Sequence, residues 1–156
     1  MASAQASPGA PAPSSEIAFS ARSWPETGVA ECAVGESGAV REAARLLAAA
    51  ERPVIIVDRM ARTQAGMDRL VELAEALNAP VVDQTTRQNF PTTHYLCQSA
   101  QGAALVRQAD VILGIEVTDF WGQLNQYVLA DHGVASKVKA GVKTITLGSN
   151  EIFLKS

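Results

Sequence analysis

Several features that would indicate a specialised class of protein are missing from this 156-residue sequence. Its two cysteines, Cys32 and Cys97, are too few for a disulfide framework or a metal site and fit a reducing cytoplasm. No apolar run approaches the roughly 20 residues that a membrane-spanning helix needs. The net charge is −3 and no basic block occurs, which argues against nucleic acid and anionic membrane surfaces as partners. We therefore expect a cytoplasmic protein that binds neither.

The N-terminal segment differs in composition from the rest of the chain. Residues 1–15 are mainly alanine, serine, proline and glycine, and no charge occurs before Glu16. The segment lacks the basic and apolar regions of a secretory signal. We expect residues 1–36 to be a disordered or linker tail and residues 37–156 to form one α/β domain. Trp24 either docks this tail onto the domain or belongs to a partner interface.

What the sequence does contain is one unit repeated three times: an amphipathic helix, a short polar break and a compact apolar strand. The helix and strand pairs are residues 40–50 with 53–57, 67–77 with 80–82, and 102–108 with 111–115. Strands that are apolar throughout and alternate with helices predict a parallel sheet covered on both faces, which is a three-layer α/β/α fold. Thr63 and Asn78 are the expected N-cap and C-cap of the second helix.

The segments between and after these pairs are less regular. Residues 85–98 are polar and mixed, and they predict a long loop after the second strand. A weaker helix is expected at residues 124–130, followed by a poorly defined connection at residues 133–141. Residues 144–147 alternate between polar and apolar side chains and predict a fourth strand near an edge of the sheet.

Polar residues follow the predicted strands at their carboxyl ends, where parallel sheets bind ligands. The candidate ligand-binding residues are Asp58, Arg59, Glu116, Thr118, Ser149 and Asn150. Each also has a structural interpretation, as a loop ion pair, a helix cap or a turn residue. Neither a catalytic residue nor a metal ligand is assigned, because His94, His132 and Cys97 have no evident partner that would activate them.

The turn after the first strand, residues 58–63, contains no glycine. A dinucleotide site of the usual kind needs glycine there, so that the backbone can approach the pyrophosphate. The sequence also contains no Walker A motif. These two absences argue against an ordinary Rossmann dehydrogenase and against a P-loop nucleotidase.

Five segments carry a family resemblance by their order along the chain. They are ARLLAAAERPVII at 44–56, LAEALNAPVV at 73–82, NFP at 89–91 with His94 nearby, ADVILG at 109–114, and VKTITL at 142–147. In this series the chain resembles the central domain of thiamine-diphosphate-dependent enzymes, a superfamily that includes acetolactate synthase, benzoylformate decarboxylase, pyruvate oxidase and oxalyl-CoA decarboxylase.

The resemblance implies a Rossmann-like domain of a larger carboligase or decarboxylase, acetolactate synthase-like, that uses thiamine diphosphate and magnesium. In such enzymes an N-terminal domain supplies a glutamate to the cofactor, and a C-terminal domain holds its diphosphate and magnesium through a Gly-Asp-Gly motif. The sequence has no Gly-Asp dipeptide. We therefore expect a domain that is not catalytic alone, is incomplete at its C-terminal edge, and has the N- and C-terminal domains of a homo-oligomeric parent as partners.

FAD is a doubtful cofactor, since flavin-binding members look glycine-rich after the first strand and tend to carry arginine after the third. This chain has Asp58-Arg59-Met60 and Glu116-Val117-Thr118 there. Two alternative functions stay open from the sequence. One is a stand-alone module that binds an adenine nucleotide or CoA at the strand ends. The other is a structural subunit-contact domain that uses the aromatic residues Phe120, Trp121 and Trp24.

Overall fold

The computed structural model describes residues 37–84, 88–130 and 133–148, so the expected tail lies outside the described residues. From residue 37 to residue 115, helices and strands alternate along the chain as the sequence predicts. They are α1 (Ser37–Ala48), β1 (Pro53–Val57), α2 (Gln64–Leu77), β2 (Val81–Asp83), a 3-10 turn (Ser99–Gln101), α3 (Gly102–Gln108), β3 (Val111–Ile115), α4 (Phe120–Leu124), β4 (Asn125–Val128), β5 (Gly133–Ser136) and β6 (Lys143–Leu147).

Four of these strands form one parallel sheet in the order β2-β1-β3-β6. Ile55 of β1 is in register with Val81 of β2 on one side and with Leu113 of β3 on the other. The chain therefore runs outward from β1 to β2 and then returns past β1 to β3. The predicted parallel sheet is confirmed, and β6 lies at an edge of the sheet, as its alternating sequence indicates.

Helices and loops cover the two faces of the sheet and give the predicted three layers. Because successive strand residues point to opposite faces, β1 divides its side chains between two apolar clusters. Ile55 and Val57 pack with residues of α1, α2 and the loop after β2, which are Leu47, Leu70, Ala74, Phe90 and Leu96. Val54 and Ile56 pack on the other face with Val106 of α3. Full burial of one such side chain contributes about 1.5–3 kcal/mol.

The ends of α2 are defined by its caps. The Oγ1 of Thr63 accepts a hydrogen bond from the N–H of Gly66 at 3.1 Å. At the other end Asn78 adopts a left-handed conformation with φ 46°, which an asparagine tolerates better than most residues. Both predicted caps are confirmed, and Pro80 then starts the extended segment that becomes β2.

The segment after β3 differs from the sequence prediction. The prediction of a helix at residues 124–130 is wrong, because α4 ends at Leu124 and the residues that follow form β4. β4 pairs antiparallel with β5, and Tyr127 lies opposite Val134. β5 lies in residues 133–141, where the sequence predicts only a poorly defined connection. Tyr127, Val128 and Val134 have the aromatic and β-branched side chains that favour strands, and each of the two strands is stabilised by pairing with the other across a short connection.

Gly114 of β3 lets α4 lie directly over the sheet. A Cβ atom at this position would be 2.6 Å from Cε2 of Phe120 and 2.7 Å from its Cδ2. The ring therefore occupies the space that any other residue would fill. Phe120 is consequently a packing residue of the second apolar cluster, whereas its neighbour Trp121 is half exposed.

The two edges of the sheet differ. On the outer side of β2, the N–H of Val81 donates to the carbonyl of Leu96 at 2.8 Å, and the N–H of Gln98 donates back to the carbonyl of Val81 at 2.9 Å. The loop predicted after β2 thus folds back along this edge. No strand within the described ranges pairs with the outer side of β6.

Asp110 joins the turn before β1 to the start of β3. Its carboxylate accepts hydrogen bonds from the N–H groups of Glu51 at 2.7 Å, Arg52 at 2.9 Å and Val111 at 2.9 Å. Partial burial raises the pKa of this carboxyl, but the backbone donors together outweigh it, so the pKa lies below its ordinary value. The carboxylate therefore stabilises the fold in its ionised form.

We predict that Asp110→Asn lowers the free energy of unfolding by about 1–2 kcal/mol at neutral pH, because the amide cannot accept all three hydrogen bonds. A group whose pKa falls on folding stabilises above its unfolded-state pKa, here 3.8, and this contribution is lost as the pH falls through the folded-state value. Urea titrations at a series of pH values should show the deficit shrinking at acidic pH. Asp68→Asn, at an exposed carboxylate on α2, is the control, with a change below about 0.5 kcal/mol. A deficit that is independent of pH would contradict this account.

Candidate functional site

The strand order reverses between β1 and β3, and two candidate residues meet at that point. Asp58 follows β1 directly and is only 5% exposed. Its Oδ2 accepts a hydrogen bond from the hydroxyl of Thr118 at 2.6 Å and one from the N–H of Thr118 at 3.3 Å. The structure thus brings together two residues that are 60 positions apart in the sequence.

Asn89 is a central residue at the carboxyl edge of the parallel sheet. The sequence analysis did not predict it as a site residue. Its side chain is fully buried, and Nδ2 donates to the backbone carbonyl of Asp58 and, at 2.9 Å, to Oδ1 of Asp83. Its Oδ1 accepts from the N–H of Ala61 at 3.1 Å. The other carboxylate oxygen of Asp83 accepts from the N–H groups of Asn89 and Phe90. One amide therefore joins the loops that follow β1 and β2.

The remaining candidates are less closely connected. Glu116 has φ 51°, an unusual conformation for a residue other than glycine, and its N–H donates to the carbonyl of Leu147 at 2.7 Å. That bond links the exits of β3 and β6. The side chain of Arg59 is exposed and forms no ion pair with any of the described residues. Ser149 and Asn150 lie outside the described residues.

The geometry of the reversal point is poorly suited to a dinucleotide. A pyrophosphate would need to approach the backbone after β1, where residues 58–63 contain no glycine. The buried carboxylate of Asp58 stands at the same place and would repel it. The turn after β1 and the carboxylate of Asp58 therefore do not fit the diphosphate of FAD. What the arrangement does provide is a set of hydrogen bonds that fixes the loops after β1, β2 and β3 relative to one another.

His94 is held by the fold on both ring nitrogens. Its Nε2 lies 3.2 Å from Oε1 of Glu75, and its Nδ1 accepts a hydrogen bond from the N–H of Leu96 at 3.2 Å. The ring stacks on Tyr95 and meets the edge of Phe90. These contacts are those of a histidine that orders the loop covering β2. His132 lies outside the described residues.

Neither Cys97 nor the acidic side chains form a metal site within the described residues. Cys97 is half buried against the first apolar cluster. Across residues 37–84, 88–130 and 133–148, no group of three or more histidine, cysteine, aspartate or glutamate side chains is placed to hold a metal ion. Likewise, none of the helices in these ranges is long and apolar enough to cross a membrane.

Comparison with known families identifies this arrangement of strands and loops. The profile of the thiamine pyrophosphate enzyme central domain matches residues 40–137. The chain belongs to this family. The match begins in α1 and reaches the residue after β5, so it includes β1, β2, β3 and the loops that Asn89 and Asp58 join.

Membership in the thiamine pyrophosphate enzyme family implies that the parent enzyme uses thiamine diphosphate. Magnesium that accompanies a diphosphate needs several oxygen ligands grouped around it. The described part of this central domain offers no such group, and the two aspartates at the carboxyl edge are engaged by backbone, hydroxyl and amide donors. The residues that the structure describes therefore do not fit the diphosphate and its metal.

We predict that Thr118→Val lowers the free energy of unfolding by about 1–2 kcal/mol, because it removes a hydroxyl that donates to a buried carboxylate while keeping the side-chain shape. Thr118→Ser keeps the donor and should lose less. The matched control is Thr144→Val on exposed β6, with a change below about 0.5 kcal/mol. Urea unfolding measures all three variants. Equal effects of the valine substitutions at positions 118 and 144 would show that the hydrogen bond to Asp58 contributes nothing.

Proposed function

We propose that this chain is the central domain of a thiamine-diphosphate-dependent carboligase or decarboxylase of the acetolactate synthase type, and that it does not catalyse the reaction alone. The observation that carries the proposal is the family match over residues 40–137 on a sheet whose strand order is that of a doubly wound fold. The polar residues at the carboxyl edge bind one another, which supports a role in holding loops and neighbouring domains in position.

In the proposed parent, thiamine diphosphate, once bound with magnesium, supplies the electron sink that stabilises a carbanion. The role of this chain in that enzyme is structural. Asn89 fixes the loops after β1 and β2, and the bond between Asp58 and Thr118 adds the loop after β3. A rigid edge of this kind keeps the surfaces that face the other domains at constant geometry. This matters because catalysis is sensitive to small misplacements of reacting groups.

The adenine-nucleotide alternative gains less support from the structure. The turn after β1 has no glycine, and the carboxylate of Asp58 occupies the reversal point. Both features disfavour a pyrophosphate there. The central-domain proposal needs no ligand at this position.

We predict that the full 156-residue chain, supplied with pyruvate, thiamine diphosphate and magnesium, forms no acetolactate and releases no carbon dioxide above the rate without protein. The reason is that the described residues include no group fitted to hold the diphosphate and its metal. Isothermal titration with thiamine diphosphate and magnesium should also be flat. An active thiamine-diphosphate enzyme in the same assay serves as the positive control. Turnover that follows the purified chain through gel filtration would overturn the proposal.

A subunit-contact function is the second candidate, and exposed apolar side chains favour it. Trp121 of α4 and Tyr127 of β4 have ring centroids 6.1 Å apart, and Tyr127 is 72% exposed. Leu129 is 86% exposed, and Val134, opposite Tyr127, is half exposed. We call these four residues the hairpin patch. Exposed apolar groups of this kind mark protein interfaces more often than isolated surface residues do.

We predict that the chain self-associates through the hairpin patch, so that its mean mass by light scattering rises with concentration. The double substitution Tyr127→Ser and Val134→Thr should shift this rise to higher concentration by about tenfold or more, because large aromatic residues dominate interface energies. Tyr95→Ser removes an exposed tyrosine elsewhere and is the matched control. A monomer at every concentration, or equal effects of both sets of substitutions, would exclude this function for the hairpin patch.

A further inference from the structure

A cleft of about 300 Å³ lies beside the carboxyl end of β2, between α3 and the segment that contains α4 and the β4–β5 hairpin. Its volume is at the lower end of the range for small-molecule sites. Asp58, Arg59, Glu116 and Thr118 do not line it. The cleft is therefore separate from the reversal point between β1 and β3.

The charges around this cleft are of one sign. Among the described residues that line it, Arg107 and Lys137 are cations and none is a carboxylate. The guanidinium of Arg107 forms no ion pair within the part of the chain that the structure describes. The Nζ of Lys137 donates to the backbone carbonyl of Gly122 at 2.6 Å, a neutral acceptor that leaves its charge uncompensated. In a chain of net charge −3, two such cations on one cleft favour an anionic ligand.

The other walls of the cleft suit the rest of a small organic molecule. Val82 and Val106 of the second apolar cluster form an apolar floor, and 6% of Val82 and 5% of Val106 are exposed there. Gln123 and Gln126 stand on the hairpin side. An amide side chain offers both donors and an acceptor, so these two residues can orient a polar ligand. Guanidinium and ammonium groups pair with carboxylate or phosphate oxygens by charge-assisted hydrogen bonds.

We propose that this cleft binds a small organic oxyanion, a carboxylate or a phosphate ester, whose charged group contacts Arg107 and Lys137 and whose carbon frame lies against Val82 and Val106. The site joins α3 to the hairpin through the ligand. It does not depend on the function proposed for the parent enzyme, because it rests only on the lining residues and their charges.

The test uses the full chain and three probes: inorganic phosphate, glycerol 3-phosphate and succinate. Titrations at millimolar concentration are followed by backbone amide shifts in nitrogen–proton spectra. Saturable shifts should cluster in α3, α4 and the hairpin. If succinate binds more tightly, the natural ligand is a carboxylate. If the two phosphate probes bind more tightly, it is a phosphate ester. Flat titrations with all three probes would overturn the proposal.

Variants locate the site. Arg107→Gln and Lys137→Gln should each weaken binding about tenfold, the effect of losing one charge-assisted hydrogen bond. Lys137→Arg keeps the charge and should retain most of the affinity, which separates loss of charge from a folding defect. Arg41→Gln on α1 and Lys143→Gln at the start of β6 remove the same charge elsewhere and should leave affinity within about twofold. Equal weakening by the cleft and control substitutions would mean non-specific attraction and would refute the site.

Discussion

The complete burial of β1 is the constraint on which the rest of this structure depends. Every residue of Pro53–Val57 is buried, and β1 pairs with a parallel strand on each side. A strand in this position can exist only if both faces are covered and if the polar groups around its ends find partners. The carboxylate of Asp110 meets this need before the strand, and the amide of Asn89 meets it after the strand. The helices on both sides then follow as the layers that cover β1.

The same constraint explains why the carboxyl edge of the sheet is closed at the reversal point. In open α/β sheets this is the place where loops separate and ligands enter. Here the loops after β1 and β3 are joined by the bond between Asp58 and Thr118, and Asn89 joins the loops after β1 and β2. Polar side chains that satisfy one another in this way rigidify a fold. A closed edge supports the proposal that the thiamine diphosphate of the parent enzyme is held outside this domain.

Local sequence signals predicted most of the fold. β1 and β3 are uninterrupted apolar runs between helical patterns, and the caps Thr63 and Asn78 act on their nearest neighbours in the chain. The hairpin was missed because its strands are short, and neither NQYV of β4 nor GVAS of β5 alternates regularly between polar and apolar residues. At the candidate site, the predicted parallel topology was enough to place Asp58 near the loop after β3. The partner role of Asn89, 31 residues beyond Asp58, required the path of a long loop that carries no periodicity.

The hairpin contributes to two proposed surfaces, and strand geometry keeps them apart. Gln126 lines the cleft, and the next residue, Tyr127, belongs to the hairpin patch. Adjacent residues of a strand point to opposite faces, so a ligand in the cleft and a protein on the patch do not compete for the same side chains. The hairpin is anchored between them by the N–H of Lys137, which donates to the carbonyl of Leu124 at 2.8 Å. Substitutions at Tyr127 and Val134 therefore change the face of the hairpin opposite to Gln126.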